Sequence, residues 1–311
     1  GGSDTTSDVP IAVSKKLRRR LLDLNRARSL GERIKAALKG FSFGEFKPEF
    51  PGVAEPRTGK SMGESCEDMA KQWQIRREDQ DLLAYESHQK AAAAYARGFY
   101  SDLVMPLRGL DKDNILRPDT TLEKLATLKP AFDKRSGNGT LTAGNSTNLS
   151  DGASAALLSS EAWAQANGKE IQAYLVDAQV AAVDFVAGEG LLMAPAWAVA
   201  QLLKRNNLKL QDFDFYEIHE AFAAQVLCTL KAWESEEFCK TKLGMDGALG
   251  SIDRSKLNVV GSSLALGHPF AATGARIVAT AAKLLKEKGQ GRVLISICTA
   301  GGMGVAAIVE R

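Results

Sequence analysis

The chain has 311 residues, of which 45% are hydrophobic and 25% charged, and its formal net charge is +3. This composition is typical of a globular protein with a substantial core, and the length favours two domains. No run of about 18 uninterrupted apolar residues occurs, so a transmembrane helix is not expected. Four cysteines without a C-x-x-C pair favour a reducing compartment over a disulfide framework, and three widely separated histidines do not form a metal site by themselves.

Positive charge is concentrated in residues 15–39, which read KKLRRRLLDLNRARSLGERIKAALK. Ten Lys and Arg residues stand there against Asp23 and Glu32, a local balance of +8. Helical spacing of the apolar residues predicts a basic amphipathic helix, with this stripe: Leu17, Leu21, Leu24, Leu30, Ile34 and Leu38. The basic face is either solvated or faces an anionic membrane surface, a polyanionic ligand or a partner subunit. Nucleic acid is not expected, because no zinc pattern occurs and the nearby phenylalanines lie outside this segment.

The texture of the chain changes along its length. The opening GGSDTTSDVP has neither a methionine nor a targeting segment and is typical of an interior cut. Residues 11–135 are helical and polar, with a helix predicted over 76–98. From residue 139 onward, short apolar strands, glycine-rich turns and amphipathic helices alternate, which is typical of an α/β fold. Similar small residues in 142–158 and 299–309 hint at two copies of one α/β unit.

A histidine follows the first of three candidate strands. In FDFYEIHEAFAAQVL, residues 213–227, an aromatic-rich strand runs into His219, and a helix is predicted from about Glu220. A polar side chain at the carboxyl end of a strand faces the crevice in which α/β sheets bind ligands. His219 is therefore a candidate site residue, with a helix cap or a satisfied core histidine as the alternatives.

A second histidine lies in a loop of small residues. In VVGSSLALGHPFAATGARIVATAAKLL, residues 259–285, His268 and Pro269 precede a helix that begins with small residues. The positive amino end of that helix is expected to lower the pKa of the His268 imidazole and keep it available as a base. The alternative is an ordinary turn histidine before proline.

A cysteine ends the third strand. Residues 292–297 are predicted to form a strand that returns over 305–309, with Cys298 at the junction before a glycine-rich turn. Glycines there would let a ligand approach backbone N–H groups closely. A buried filler thiol is the alternative, since free cysteine often behaves as a small hydrophobe. Two histidines and a cysteine at three such junctions favour a thiol or acyl-transfer site, for which the thiol should be exposed and polarised.

At these positions the sequence resembles the thiolases, and among them the 3-ketoacyl-CoA thiolases. The blocks that carry the resemblance are MGESCEDMA (62–70), RPDTTLEKLATLKPAF (117–132), TAGNSTNLSDGASA (142–155), HEAFA (219–223), GHPFAATGAR (267–276) and CTAGGMG (298–304). They follow the family order over nearly the whole chain, so together they are far more specific than any single motif.

Two residues depart from the usual thiolase pattern. His219 stands where most thiolases have Asn, and Ala300 stands where most have the first glycine of a triplet. Both variants occur in a branch that resembles the β subunit of the trifunctional enzyme and that carries a similar basic segment. The resemblance therefore implies a hydratase/dehydrogenase α subunit as partner, a peripheral membrane contact through residues 15–39, and a mitochondrial or bacterial cytoplasmic location.

The resemblance implies a thiolase fold, an α/β fold in which a duplicated unit forms αβαβα layers with an inserted helical loop domain. Residues 1–10 would then be a remnant of the amino-terminal half, 11–138 the loop domain on the CoA side, 139–170 the end of the amino-terminal half, and 171–311 the carboxyl-terminal half. The family nucleophile is a cysteine of the amino-terminal half, and none of the four cysteines here matches it. The first half-domain is therefore expected to be incomplete and the chain alone inactive.

The resemblance also implies roles in the thiolytic cleavage of 3-oxoacyl-CoA. His268 would activate the nucleophilic cysteine, Cys298 would protonate the acetyl-CoA enolate, and His219 would stabilise the thioester oxygen, directly or through water. The backbone N–H of Ala300 would serve a second oxyanion site, provided its φ is negative. Contacts with CoA or substrate are expected from Met62, Arg117, Ala143, Thr147 and Phe222. CoA would be a substrate, no cofactor or metal would be tightly bound, and the enzyme would form a homodimer or a dimer of dimers.

Two other interpretations stay open from the sequence. One is a catalytically inactive thiolase-like piece that serves binding or dimerisation. The other is a condensing enzyme of lipid synthesis on the same fold, a class that usually lacks a second catalytic cysteine. Cys298 is the residue that distinguishes the second interpretation from a thiolase.

Overall fold

The computed structural model describes residues 1–311 and divides them into two compact units. The smaller unit consists of residues 6–53, and the larger unit consists of residues 1–5 and 54–311. No helix has the length and apolar character needed to cross a membrane. The domain boundaries expected from the sequence stay predictions, since the smaller unit overlaps only the first part of the expected loop domain.

The chain contains eight strands and eleven α-helices, interspersed along its length. The strands are β1 Gly2–Asp4, β2 Ala12–Val13, β3 Pro48–Glu49, β4 Gly152–Ser154, β5 Tyr174–Ala182, β6 Phe215–Ile218, β7 Arg292–Thr299 and β8 Met303–Glu310. The helices are α1 Lys15–Arg26, α2 Leu30–Leu38, α3 Met62–Gln72, α4 Arg77–Ala96, α5 Leu122–Ala126, α6 Glu161–Ala166, α7 Ala194–Asn206, α8 Ala223–Glu234, α9 Glu236–Thr241, α10 Ser263–Leu266 and α11 Phe270–Lys288. Helix α4 confirms the helix predicted over 76–98, within two residues at each end.

A four-stranded mixed sheet forms the centre of the larger unit, in the order β5-β8-β7-β6. Strands β6 and β7 are parallel, with Ile218 opposite Ser296, whereas β8 is antiparallel to both β7 and β5. The carboxyl ends of β6 and β7 therefore lie at the same edge, which is where α/β sheets bind ligands. His219 follows β6 at this edge, and Cys298 lies near the end of β7.

Helices cover both faces of this sheet. Successive residues of a strand point to opposite sides, so β7 contributes to two separate hydrophobic clusters. Val293 and Ile295 pack in one cluster with Ile277 of α11. Leu294 and Cys298 belong to the other cluster, which contains the buried faces of α7 and α8.

The smaller unit contains two basic helices, so the prediction of a single helix over 15–39 was wrong. Helix α1 ends before Ala27, and Ser29 starts α2 by accepting a hydrogen bond from the Glu32 N–H in a capping box. A serine in this position satisfies the first free N–H groups of a new helix, which favours a break over continuation. Hydrophobic periodicity alone does not show such a break.

A buried ion pair holds the smaller unit together. Arg20 Nε donates to Glu45 Oε2 at 2.9 Å, and Arg20 Nη2 donates to Glu45 Oε1 at 3.0 Å. Arg20 Nη1 also donates to the carbonyl oxygens of Ala36 and Ala37 at 2.9 and 2.6 Å. The hydrogen-bonded guanidinium lowers the pKa of the Glu45 carboxyl. Arg20 of α1 therefore links this helix to the end of α2. The apolar stripe predicted from the sequence did not indicate this contact.

Candidate active site

Two imidazoles meet at the edge of the sheet. The ring centroids of His219 and His268 are 4.2 Å apart, and the ring planes make an angle of 49°. The backbone N–H of His219 donates to the backbone carbonyl of Ser296 in β7 at 2.9 Å, which fixes the main chain just beyond β6. His268 lies two residues before the start of α11. The structure thus brings together the two histidines that the sequence singled out.

A segment of the TAGN block lies against both histidine-bearing loops. The backbone N–H of Thr147 donates to the Ala221 carbonyl at 3.0 Å, and the backbone N–H of His268 donates to the Asn148 carbonyl at 3.2 Å. The bond to Ala221, together with the one from the Ala223 backbone N–H to the Asn145 carbonyl at 2.9 Å, holds the residues after His219 in an extended conformation. Helix α8 therefore begins at Ala223, later than the sequence pattern predicted.

The glycine before His268 is required by its backbone. Gly267 has a backbone φ of +84°, a conformation that residues with a side chain rarely adopt. A Cβ at this position would also lie 2.3 Å from Ser150 Oγ. The turn that presents His268 is therefore packed closely onto the TAGN block.

Ser263 and Arg276 surround the buried His219 ring. His219 Nδ1 lies 2.7 Å from Ser263 Oγ, and Arg276 Nη2 donates to the same Oγ at 2.9 Å. His219 Nε2 is buried and has no hydrogen-bond partner. Burial, followed by the nearby His268 and Arg276, lowers the pKa of His219 well below its ordinary value, so the ring is neutral.

His268 is half-buried and neutral. Its Nδ1 lies 2.6 Å from Thr273 Oγ1 on α11. Burial lowers the pKa of His268 to about 4, Arg276 acts in the same direction, and Asp4 opposes them. The predicted direction of the pKa shift is right, but burial is its main cause and not the helix end that the sequence suggested.

Cys298 lies at the same edge but is buried. It is 6% exposed, packs in the hydrophobic cluster that contains Phe222 and Cys66, and has a pKa raised to about 12 by burial. No hydrogen bond joins its Sγ to either imidazole, since the ring nitrogens that have partners bond to hydroxyl groups. The prediction that the Cys298 thiol is exposed is therefore wrong. The thiol is protonated and shielded by the side chains around it.

The turn after Cys298 is a tight hairpin between β7 and β8. Gly301 and Gly302 have φ values of +74° and +73°, which explains the glycines at these two positions. Ala300 is exposed and is not among the residues with positive φ, so the condition set for use of its N–H is met.

The other three cysteines are buried structural thiols. Cys66, Cys228 and Cys239 are each 0% exposed. Burial raises the pKa of Cys66 and of Cys228, and Cys239 Sγ donates to backbone carbonyls of α8. None of the three has the exposed environment that a nucleophilic thiol needs.

Three of the residues expected to contact CoA or substrate, Phe222, Thr147 and Met62, pack against the segments that form the site. The Phe222 ring centroid is 5.7 Å from that of Phe132, and Met62 packs against the same hydrophobic cluster. Thr147 Oγ1 donates to the Ser263 carbonyl at 2.7 Å. Ala143 is exposed.

Arg117 is tied to its own loop. Its Nη1 donates to the Asn114 and Leu116 carbonyls at 2.9 and 3.3 Å, and its backbone N–H donates to His88 Nδ1 at 3.2 Å. The structure does not bring the Arg117 side chain to the histidine pair. His88, the third histidine, is buried and accepts this hydrogen bond, and burial, followed by Arg117, lowers its pKa to about 4.

Glu220 holds the site together, and the sequence argument did not single it out. Glu220 Oε2 accepts hydrogen bonds from Ser87 Oγ at 2.7 Å and from the Leu264 N–H at 3.2 Å. Glu220 Oε1 accepts from Asn258 Nδ2 at 2.6 Å. An acidic residue inside the apolar run after His219 was the available signal. No pattern indicated Ser87 or Asn258, which come from distant parts of the chain.

The thiolase family models match two stretches of this chain. The model for the thiolase N-terminal domain matches residues 37–162, and the model for the thiolase C-terminal domain matches residues 169–311. The 3-ketoacyl-CoA thiolases of Shewanella sediminis and Shewanella baltica are each 45% identical to it over 316 residues, which cover 100% of this chain and 71% of theirs. The chain belongs to the thiolase family.

Solved structures agree with this assignment. The acetyl-CoA acetyltransferase of Bacillus anthracis superposes with a TM-score of 0.73 at 32% identity, covering 100% of this chain and 70% of that one. The Acat5 thiolase of Ascaris suum, in complex with coenzyme A, gives 0.75 at 29% identity with the same coverage. The predicted thiolase fold is confirmed. The two Shewanella relatives are bacterial proteins and give no support to a mitochondrial location.

Proposed function

We propose that this protein catalyses the reversible thiolytic cleavage of 3-oxoacyl-CoA by CoA, to acetyl-CoA and a shortened acyl-CoA, in fatty-acid β-oxidation. The observation that carries the proposal is the pair of neutral imidazoles, with ring centroids 4.2 Å apart, at the sheet edge where Cys298 lies near the end of β7. Acyl transfer needs a base for a thiol, a donor for a thioester oxygen and a proton carrier for an enolate. These three groups supply those roles.

The first half of the reaction forms an acyl-enzyme. Neutral His268 takes the proton of the nucleophilic cysteine, and the thiolate attacks the β-keto carbon of the substrate. The bond between the α and β carbons breaks, the acyl group stays on the sulfur, and the enolate of acetyl-CoA leaves. Cys298 gives its proton to the α carbon, for which a thiol with a pKa of about 12 is available in protonated form.

The second half of the reaction releases the acyl group. The Cys298 thiolate takes the proton of an incoming CoA thiol, and the CoA sulfur attacks the acyl thioester. The enzyme thiolate leaves and regains its proton from the His268 imidazolium. All groups return to their starting protonation states, so the same groups also serve the reverse reaction, condensation.

The oxyanion that forms on the substrate needs hydrogen-bond donors. Nε2 of His219 is buried without a partner, and the Ala300 N–H lies in the exposed hairpin turn. We assign His219 to the thioester oxygen and Ala300 to the second oxyanion site. Loss of one such donor typically lowers kcat by about 10² to 10³-fold.

The acyl-accepting thiolate is not assigned to any of the four cysteines of these residues. The three outside the hairpin are buried with no sign of activation, and Cys298 is assigned to proton transfer. We therefore propose that residues 1–311 alone form no acyl-enzyme. An inactive binding or dimerisation piece is the alternative that the experiment below separates from the proposal.

CoA and acyl-CoA are the proposed ligands, in a homodimeric enzyme. The relative solved in complex with coenzyme A supports the choice of ligand. The apolar Met62 and Phe222 suit the acyl chain, Thr147 and the exposed Ala143 suit the pantetheine, and Arg117 suits a phosphate. No cofactor is proposed to be tightly bound.

The smaller unit is proposed to bind an anionic membrane surface. Most of its large apolar residues are exposed, and they include Leu21, Leu22, Leu30, Ile34, Leu38, Phe41, Phe43, Phe46 and Phe50. They stand among the exposed basic residues of α1 and α2, a combination that binds anionic lipid interfaces. A hydratase/dehydrogenase α subunit is the alternative occupant of this surface.

The test uses the native protein, meaning the protein as its source organism produces it, beside the 311-residue chain. Both are given a 3-oxoacyl-CoA and CoA, the products are identified by mass spectrometry, and acyl-enzyme is trapped by acid quenching. We expect acetyl-CoA, a shortened acyl-CoA and acyl-cysteine from the native protein, and no acyl-cysteine from the 311 residues. Native protein that binds CoA and yields neither product contradicts the proposal and favours the binding piece.

A further inference from the structure

We infer that Ser263 and Arg276 are positioning residues that hold His219 in the tautomer with its proton on Nε2. The inference rests on the proposed function in one respect, because a proton on Nε2 contributes to catalysis only if His219 donates to the substrate oxyanion. The geometry behind it is independent of that role. Neither Ser263 nor Arg276 touches the reacting atoms in this account.

The protons of this cluster can be counted. A serine hydroxyl has one proton to donate and two lone pairs that accept. Arg276 Nη2 donates to one lone pair of Ser263 Oγ at 2.9 Å, and the contact of Oγ with His219 Nδ1 is 2.7 Å. Ser263 Oγ has no other hydrogen-bond acceptor within reach, so its proton goes to His219 Nδ1. A neutral imidazole has one N–H, which is then on Nε2.

The opposite tautomer leaves more groups of the cluster without a hydrogen-bond partner. With the proton on Nδ1, both His219 and Arg276 would donate to Ser263 Oγ, and the hydroxyl proton would have no acceptor. Ser263 is 0% exposed and His219 is 1% exposed, so water does not reach either group freely. With the proton on Nε2, only that N–H lacks a protein partner, whereas the opposite tautomer leaves both the Ser263 hydroxyl proton and the Nε2 lone pair unpaired, so it is the less favourable arrangement. Arg276 is essential to this choice, since its guanidinium can only donate.

The position of Ser263 is itself fixed. Ser263 is the first residue of α10, and its carbonyl accepts a hydrogen bond from Thr147 Oγ1 at 2.7 Å. The next N–H of the helix, that of Leu264, donates to Glu220 Oε2 at 3.2 Å. The hydroxyl is therefore presented to His219 by a helix end that is tied to two neighbouring segments.

The consequence lies at Nε2. This atom is buried, has no partner in the protein, and belongs to a ring 4.2 Å from that of His268. In the tautomer held by Ser263 it presents an N–H to a substrate oxygen as negative charge develops. In the other tautomer it would present a lone pair to that charge, which repels it.

The experiment reads the tautomer directly, without catalysis. The 311-residue chain is prepared with ¹⁵N-labelled histidine, and the ring nitrogens are assigned with His88→Gln and His268→Gln. We expect a directly bonded proton on His219 Nε2 and the strongly downfield shift of an unprotonated nitrogen on Nδ1. Ser263→Ala should move both shifts toward the average of exchanging tautomers, and Ser263→Thr, which keeps the hydroxyl, should restore them. Ser262→Ala removes a neighbouring buried hydroxyl that does not contact His219, and should leave the signature unchanged.

Two results overturn the inference. One is a proton on Nδ1 of His219 in the unsubstituted chain, and the other is an unchanged signature in Ser263→Ala. In the native protein, Ser263→Ala should lower the kcat of thiolysis by about 10 to 10³-fold, with a smaller effect on KM. A native protein without thiolase activity would remove the proposed function and leave the tautomer result standing, so the two failures are distinguishable.

Discussion

His219 and His268 face one another with 4.2 Å between their ring centroids, although one follows a strand and the other precedes a helix. Two cationic rings at this distance would repel, and burial keeps both pKa values low. The pair is therefore neutral at physiological pH, which leaves one ring free to accept a proton and the other to donate a hydrogen bond.

The low pKa of His268 predicts the acid side of the pH profile. A base with a pKa of about 4 stays deprotonated when the pH falls below 6.5, where a free imidazole would gain a proton. The kcat/KM of the native protein should therefore show no loss of activity near pH 6.5 that is due to His268. Steady-state assays from pH 4.5 to 8 check this over the range below and above the ordinary imidazole pKa. An acid limb with a midpoint near 6.5 that follows the His268 titration would contradict it.

The proton-transfer role of Cys298 predicts a large effect of a small change. Cys298→Ser replaces the thiol by a poorer acid, so thiolysis by the native protein should fall by about 10² to 10⁴-fold. Cys239→Ser is the matched control, because Cys239 is equally buried and donates only to carbonyls of α8. A condensing enzyme that decarboxylates its substrate should tolerate Cys298→Ser. Near-normal activity of that variant would therefore favour the condensing enzyme over the thiolase.

Glu217, two residues before His219, predicts a pH-dependent stability. Its carboxyl is 0% exposed, neither oxygen has a hydrogen-bond partner, and burial raises its pKa to about 8, with Glu220 acting in the same direction and Arg276 opposing. The folded state thus holds a proton on Glu217 that the unfolded state releases above about pH 4.5. Stability from this group is complete below pH 4.5 and is lost as the pH rises through 8.

Urea unfolding of the chain and of Glu217→Gln measures this loss. The amide cannot ionise, so the free energy of unfolding of the unsubstituted chain should fall relative to the variant by about 4 kcal/mol between pH 4.5 and pH 8.5. Glu78→Gln, a change at an exposed glutamate, is the control and should show no such trend. A difference that stays constant with pH would mean that Glu217 has an ordinary pKa.

The exposed apolar residues of the smaller unit predict binding to anionic vesicles. The chain should co-sediment with vesicles that contain phosphatidylglycerol and much less with pure phosphatidylcholine, and added salt should weaken binding. Phe43→Ser should reduce binding several-fold, whereas Met105→Ser, at an equally exposed site of the larger unit, should not; both side chains are 86% exposed. Equal binding to the two lipids, or no effect of Phe43→Ser, would favour the partner subunit as occupant of this surface.

The histidine pair was predictable because it depends on simple topology. The residues that follow parallel strands lie at one edge of a sheet, and the GHP block precedes a helix that packs on that sheet. The strands, helix α4 and the order of the family blocks were predictable for a similar reason, because each follows from a pattern within a short segment of the sequence. Sequence patterns of this kind place residues on elements, and the elements then place them in space.

The remaining features depend on contacts between distant segments. The burial of Cys298 follows from the packing of other elements around the hairpin, as its cluster with Cys66 and Phe222 shows. The hydrogen bond of Ser263 to His219 and the bonds of Glu220 join side chains far apart in the chain. Serines and arginines are common on surfaces, so no pattern identified these as buried partners of a catalytic ring.

The most direct test of the acyl-transfer site is a titration of the ¹⁵N-histidine-labelled 311-residue chain with a 3-oxoacyl-CoA. Saturable shifts at the ring nitrogens of both His219 and His268, with the largest change at His219 Nε2, are the predicted result. Saturable binding that leaves both rings unmoved would show that the substrate lies elsewhere, and would contradict the site described here.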